Sequence, residues 1–203
     1  MKNLLKVVVE VVALAALVGL NHMKRRSALL CLCGIGLAGL TRGVLAKTTL
    51  SSIPIKRHET AMRAAIAMAA QNQAYPFSAV MTNASSGAIL ARGVNKTFEN
   101  PILHGEISCM NNYVAQYGNK NWPDLVLYTT GEPCPMCMSA LIWAGIGGVV
   151  YGSSIEAIQK AGIDIFQFTA KQINQGNNFS QTQILGGILE SECDALFINR
   201  KRT

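Results

Sequence analysis

Leu103-His104-Gly105-Glu106-Ile107, followed by Glu132-Pro133-Cys134-Pro135-Met136-Cys137, is the pair of stretches whose reading decides the fold of this chain. One imidazole and two thiolates supply three ligands to a zinc ion, and a three-ligand site leaves the fourth tetrahedral position open to water. Glu106, two residues past the histidine, is placed to move protons rather than to bind metal. Cys134 and Cys137 are three residues apart, so a helix opening at Pro135 carries both sulfurs on one face. Pro135 suits a first helical turn because its missing N–H has no intrahelical acceptor there. His104 and Glu106 open one helix and the two cysteines the next, so two helix N-termini face the metal. Their partial positive charge favours thiolate over thiol.

Outward from these stretches, helix and strand patterns alternate, which argues for a sheet covered by helices. Residues 58–72 are Ala- and Met-rich and read as a helix. Phe77–Thr82 and Ala88–Asn95 read as a hairpin closed by Asn-Ala-Ser-Ser-Gly. Gly105–Tyr117 and Pro135–Ala144 read as helices, and Leu125–Thr130 and Gly148–Gly152 as strands. Residues 154–182 are polar and irregular, with short helices, and 190–199 form a last amphipathic helix. The chain has no internal repeat, coiled coil or low-complexity tract.

A lone C-x-x-C has two other uses, a redox dithiol and a corner of a structural zinc site. The redox pair has no need of the upstream H-x-E, and a structural site needs a fourth protein ligand. Beyond residue 46 the histidines are His58 and His104, and Cys109 is a fourth ligand in principle. Its place one turn past Glu106 suits the buried face of the helix better. His58, near a helix start, reads as a surface or capping residue. Cys109 and Cys193 read as buried thiols. Trp143 either lines a pocket or fills the core, and Asn95 is either a turn residue or an amide that binds substrate.

Hydrophobicity is uneven. Residues 4–20 and 28–40 are apolar runs separated by Lys24, Arg25 and Arg26. From Met23 the order is a basic stretch, an apolar stretch too short to span a bilayer, and small residues before a cut after Ala46. The paired arginines resemble a twin-arginine export signal. Residues 1–46 are therefore expected to be a leader and 47–203 the functional domain, located in the periplasm or outside the cell. A retained inner-membrane anchor and a cytoplasmic location are the alternatives, and Met23 is a second candidate start.

Of 18 Lys+Arg and 11 Asp+Glu, residues 1–46 hold six and one, which leaves twelve and ten and a net charge of +2. Arg200, Lys201 and Arg202 supply three of those positives at the C-terminus. The body of the domain lacks the clustered basic footprint of a polyanion binder.

From Ala61 to about Phe197 the chain resembles the cytidine-deaminase-like superfamily, in the branch of tRNA adenosine deaminases, guanine deaminases and fungal cytosine deaminases. The matching stretches are Tyr75-Pro-Phe-Ser-Ala-Val80, Gly93-Val-Asn95, Leu103-His-Gly-Glu-Ile107, Leu127-Tyr-Thr-Thr130, Glu132-Pro-Cys-Pro-Met-Cys137 and Gly187-Ile-Leu-Glu-Ser-Glu-Cys193. H-x-E with P-C-x-x-C is the signature of zinc nucleobase deaminases. The resemblance implies an α/β fold, a three-layer α-β-α sandwich around a five-stranded mixed sheet. It also implies one zinc per chain on His104, Cys134 and Cys137 with a catalytic water, Glu106 as proton shuttle, a base-contacting amide at Asn95, and a homodimer. Leu-His-Gly-Glu-Ile-Ser is closer to the fungal cytosine enzymes, whereas Glu-Pro-Cys-Pro-Met-Cys and Ile142-Trp143-Ala144 are closer to guanine deaminases. The region after Gly152 matches none of the three closely.

The expected activity is hydrolytic removal of the exocyclic amine of a nucleobase or nucleoside, with a purine such as guanine slightly favoured. Phe77 and Trp143 offer aromatic surface to a flat ring, and Asn95 offers a donor and an acceptor to its edge. The expected partner is thus a small molecule, not a nucleic acid and, after leader removal, not a membrane. The alternatives are adenosine-to-inosine deamination in tRNA and a catalytically inactive zinc-bearing interaction protein.

Overall fold

A computed structural model describes residues 48–202. The expected leader, residues 1–46, lies outside the described residues. Among those described, no helix is long and apolar enough to cross a membrane.

The elements are α1 (Ile55–Ala69), β1 (Ser78–Asn83), β2 (Ile89–Val94), α2 (Gly105–Tyr117), β3 (Leu125–Gly131), α3 (Pro135–Ala144), β4 (Gly148–Ser153), α4 (Ile155–Lys160), α5 (Ala170–Gln175), β5 (Gln183–Leu185) and α6 (Glu190–Ile198). The strands form one mixed sheet in the order β2-β1-β3-β4-β5. β1 runs antiparallel to β2 and β3, while β3, β4 and β5 are mutually parallel along the sheet.

Strand side chains alternate between faces, and that alternation separates two cores. Ala79, Met81, Leu127 and Val149 pack with Cys109 and Tyr113 of α2 and Met138 and Leu141 of α3. Val80, Val126, Tyr128 and Val150 point the other way, onto Ala61, Met62 and Ala65 of α1 and Cys193 of α6. The result is the expected three-layer sandwich with a five-stranded sheet.

Helix α1 lies three residues earlier than the composition predicts. Pro54 caps it, and Asn72 is drawn out of it because its amide donates to Asn95 O at 3.0 Å while its Oδ1 accepts from Tyr75 N at 3.0 Å. Strand β5 has three half-buried residues paired with Gly148, Val149 and Val150. It is too short for an alternation pattern and falls just after the 154–182 stretch read as irregular, in residues to which the sequence reading assigned no element. Gln183 at its start also accepts from Leu50 N at 2.8 Å, which fixes the residues preceding α1 to this edge.

His58 is not a surface residue. It is 2% exposed, with Nε2 3.0 Å from Leu50 O and Nδ1 2.9 Å from the Tyr128 hydroxyl. The first turn of α1 faces β3 here, so the ring satisfies a buried carbonyl and a buried phenol together.

Candidate active site

His104 is the N-cap of α2 and Cys134 the N-cap of α3, both with extended backbone; Pro135 opens α3 and Cys137 follows in its first turn. Glu106 lies in the first turn of α2. Gly105 between them is needed for close approach. A Cβ there would stand 2.8 Å from Phe77 O and 2.9 Å from Ser78 Cα, so any larger residue pushes the start of α2 off β1.

The helix starts bring the ligand atoms of His104, Cys134 and Cys137 within 4.8 Å of one another. Cys134 Sγ is 3.6 Å from His104 Nδ1. Ligands held 2.0–2.3 Å from a common centre at tetrahedral angles stand about 3.5–3.8 Å apart, so the donor set fits a zinc ion. A dithiol acting alone explains neither the imidazole aimed at it nor the carboxyl beside it.

Cys137 hands its S–H to Cys134, and with His104 as second partner this holds Cys134 down to about 4, a thiolate. The same proton keeps Cys137 far above its ordinary range. The bond to Cys134 raises His104. Glu106 is 3% exposed, and burial, reinforced by the Cys134 thiolate, pushes its carboxyl up to about 7. The Thr129 hydroxyl lies 3.5 Å from Glu106 Oε1. A buried carboxyl beside the donor set is placed to accept a proton and to return it.

His104, Glu106 and Cys134 border a cavity of about 180 Å³. Its lining is made by His104, Glu106 and Cys134, by Tyr75, Phe77, Asn95 and Thr97, by the 163–165 segment, and by Glu132. Phe77 is braced from behind by Phe197, ring centroids 4.9 Å apart. Asn95 turns out to be both a turn residue and a pocket residue. Its Oδ1 accepts from Thr97 N at 3.0 Å and Thr97 Oγ1 at 2.8 Å. The backbone donor fixes the amide's orientation and leaves Nδ2 as the group it can offer to the cavity.

The structure does not bring Trp143 to this cavity. It is 77% exposed and packs on Phe179, centroids 4.6 Å apart, beside a separate groove. Cys109 and Cys193 are buried free thiols, as expected. Thr97, Glu132 and the 163–165 segment escaped the sequence reading. Glu132 had a signal: a carboxylate next to a buried ligand loop has to be paired. Asp164 had none, since the fold alone carries it to the site.

Comparison with known proteins accords with this geometry. The family described as "Cytidine and deoxycytidylate deaminase zinc-binding region" matches residues 55–153. The chain is 33% identical over 124 residues to a guanine deaminase of Bacillus subtilis, covering 58% of this chain and 78% of that one. It is 31% identical over 122 residues to a tRNA-specific adenosine deaminase of Buchnera aphidicola, covering 58% and 72%. Among solved structures, a guanine deaminase from Nitrosomonas europaea superposes with a TM-score of 0.60 at 22% identity, covering 72% of this chain and 85% of that one. A tRNA:A34 deaminase superposes with a TM-score of 0.54 at 24% identity, covering 70% and 99%. At those identities the two structures speak to the fold alone.

Proposed function

This chain belongs to the cytidine-deaminase-like superfamily, and from that premise we propose that it is a zinc-dependent hydrolytic deaminase of a free nucleobase or nucleoside, with a purine such as guanine preferred. The observation that carries the reading is the buried Glu106 carboxyl beside the His104–Cys134–Cys137 donor set, on the lining of one cavity.

His104, Cys134 and Cys137 would hold a zinc ion, which would supply the Lewis acidity that makes water a nucleophile at neutral pH. The residues of the chain do the rest. Phe77 gives the ring a flat apolar surface, and Asn95 Nδ2 donates to an acceptor on its edge. Glu106 takes a proton from the attacking water and delivers it to the ring nitrogen next to the carbon under attack. It then takes the remaining proton from the hydroxyl on that carbon and passes it to the departing amine as the C–N bond breaks, so that amine plus water become carbonyl plus ammonia. Burial of Glu106 keeps bulk water from short-circuiting these transfers.

Deamination of adenosine in tRNA is the second reading, favoured by the Buchnera relative. The net charge beyond residue 46 is +2, and Arg200, Lys201 and Arg202 contribute three positives to it, so the body of the domain is near neutral, which supports the small-molecule reading over a polyanion. Ammonia release from guanine, adenine, cytosine, their nucleosides and a tRNA anticodon hairpin at equal ionic strength separates them. A preference for the hairpin that falls steeply with salt overturns the small-molecule choice.

We also propose export of the 47–203 domain, on the strength of Arg25-Arg26 and the apolar run that follows. Arg25→Lys with Arg26→Lys then leaves the precursor in the cytosol; an unchanged distribution between compartments refutes that route.

A further inference from the structure

Helices α4 and α5 follow β4 and each has six residues. The first amide of a helix has no internal acceptor. The cap side chains of Ser154 and Thr169 serve the amides of Ala157 and Gln172, a turn further on, and leave Ile155 N–H and Ala170 N–H unserved. Both donate instead to one side chain. Glu132 Oε2 accepts from Ile155 N at 3.0 Å and Oε1 accepts from Ala170 N at 2.8 Å. The Glu132 amide donates to Ser153 O at 2.7 Å, which ties its backbone to the end of β4. The side chain is 3% exposed and borders the cavity two residues before Cys134.

The segment between those two amides carries Ile163, Asp164 and Ile165, one wall of the cavity. Its outer end is held by Arg200, which donates to Ala161 O at 2.6 Å and Gly162 O at 2.7 Å. Its inner end has Glu132. We propose, on the deaminase reading above, that Glu132 is a positioning residue: it locks the 163–165 wall to the loop bearing Cys134, and so governs substrate binding rather than proton transfer.

A carboxylate suits this place because it has two acceptor oxygens and no donor. Glutamine has nearly the same shape but one acceptor; its NH2 group meets an amide N–H donor to donor, and one of the two helix starts is released. Aspartate keeps both acceptors but is one methylene too short to reach both amides.

The test uses the zinc-loaded full chain as wild type, Glu132→Gln, Asp164→Ala and the double variant. Steady-state ammonia release is read on the best substrate, and amide hydrogen exchange on the free proteins. Glu132→Gln is expected to keep its zinc and to raise KM about 10-fold with kcat within about 3-fold. In the Asp164→Ala background the same change is expected to raise KM less than about 2-fold, because the wall it aligns has lost its polar group. In the wild type the Ile155 and Ala170 amides exchange as slowly as those of β4. In Glu132→Gln these amides and the 161–169 segment exchange faster, while β3 and β4 stay protected. An unchanged KM, a full 10-fold effect in the double variant, or fast exchange of both amides in the wild type overturns the proposal. The wild-type exchange decides the matter even if Glu132→Gln does not fold. If the wild type releases ammonia from no substrate, the deaminase reading fails by itself, and the exchange result still decides the clamp.

Discussion

Asn95 does two jobs that two substitutions pull apart. Its Oδ1 holds the turn through Thr97 N and Thr97 Oγ1, and its Nδ2 is left for substrate. Asn95→Ala removes both. Two partly buried hydrogen bonds at roughly 0.5–1.5 kcal/mol each give a stability loss of about 1–3 kcal/mol, and the Thr97 amide is left without its partner. Asn95→Asp keeps the acceptor for both Thr97 donors and removes the amide donor. The turn is expected to hold, with stability within about 1 kcal/mol of wild type, while KM rises about 10-fold, the worth of one hydrogen bond of about 1.4 kcal/mol. Urea denaturation of the zinc-loaded proteins reads the first quantity and steady-state ammonia release the second. If Asn95→Asp binds substrate as wild type does, the freed amide is not the substrate contact. If Asn95→Ala is as stable as wild type, the turn bonds are not contributing and the assignment of Oδ1 is wrong.

Cys137→Ala removes a sulfur from the donor set, and atomic absorption is expected to find far less than one zinc per chain, with thermal stability lowered in step; full metal content in that variant contradicts the ligand assignment. His58→Leu leaves the Leu50 carbonyl and the Tyr128 hydroxyl buried without their partner, a loss of about 2–4 kcal/mol by denaturation, with zinc content unchanged. A neutral effect there means that water reaches both groups and the histidine is not the link between α1 and β3.

The parts of the site that lie on continuous sequence were legible. His104, Glu106, Cys134 and Cys137 are readable because spacing along two helix starts fixes their relation, and helices α2 and α3 have the bounds their patterns predict. The strands β1, β3 and β4 alternate or run apolar in ways that announce a doubly covered sheet. What was not legible depends on tertiary placement. The 163–165 wall is placed by Gln159, whose Nε2 donates to Ile165 O at 3.2 Å, by packing of Ile163 on Ile158 and Phe197, and by flanking anchors at Glu132 and Arg200 that are distant from it in sequence. Strand β5 exists because β4 offers an edge, not because three residues have a pattern. His58 looked like a surface residue because neither of its partners is a sequence neighbour. Trp143 is a different case. Six residues past Cys137, it is about 240° further round the helix at ~100° per residue, so helical phase alone places it off the cysteine face.

The central claim is that Glu106 moves protons for an amine-releasing hydrolysis at the His104–Cys134–Cys137 centre. The most direct measurement is ammonia release from guanine and from the base and nucleoside panel by zinc-loaded wild type and Glu106→Gln, with zinc quantified in both. The account predicts one zinc per chain in each, release of ammonia by the wild type, and a fall in kcat of about 10² or more in the variant. Near-normal turnover by Glu106→Gln, or a zinc-loaded wild type that releases no ammonia from any of these substrates or from the tRNA hairpin, contradicts it.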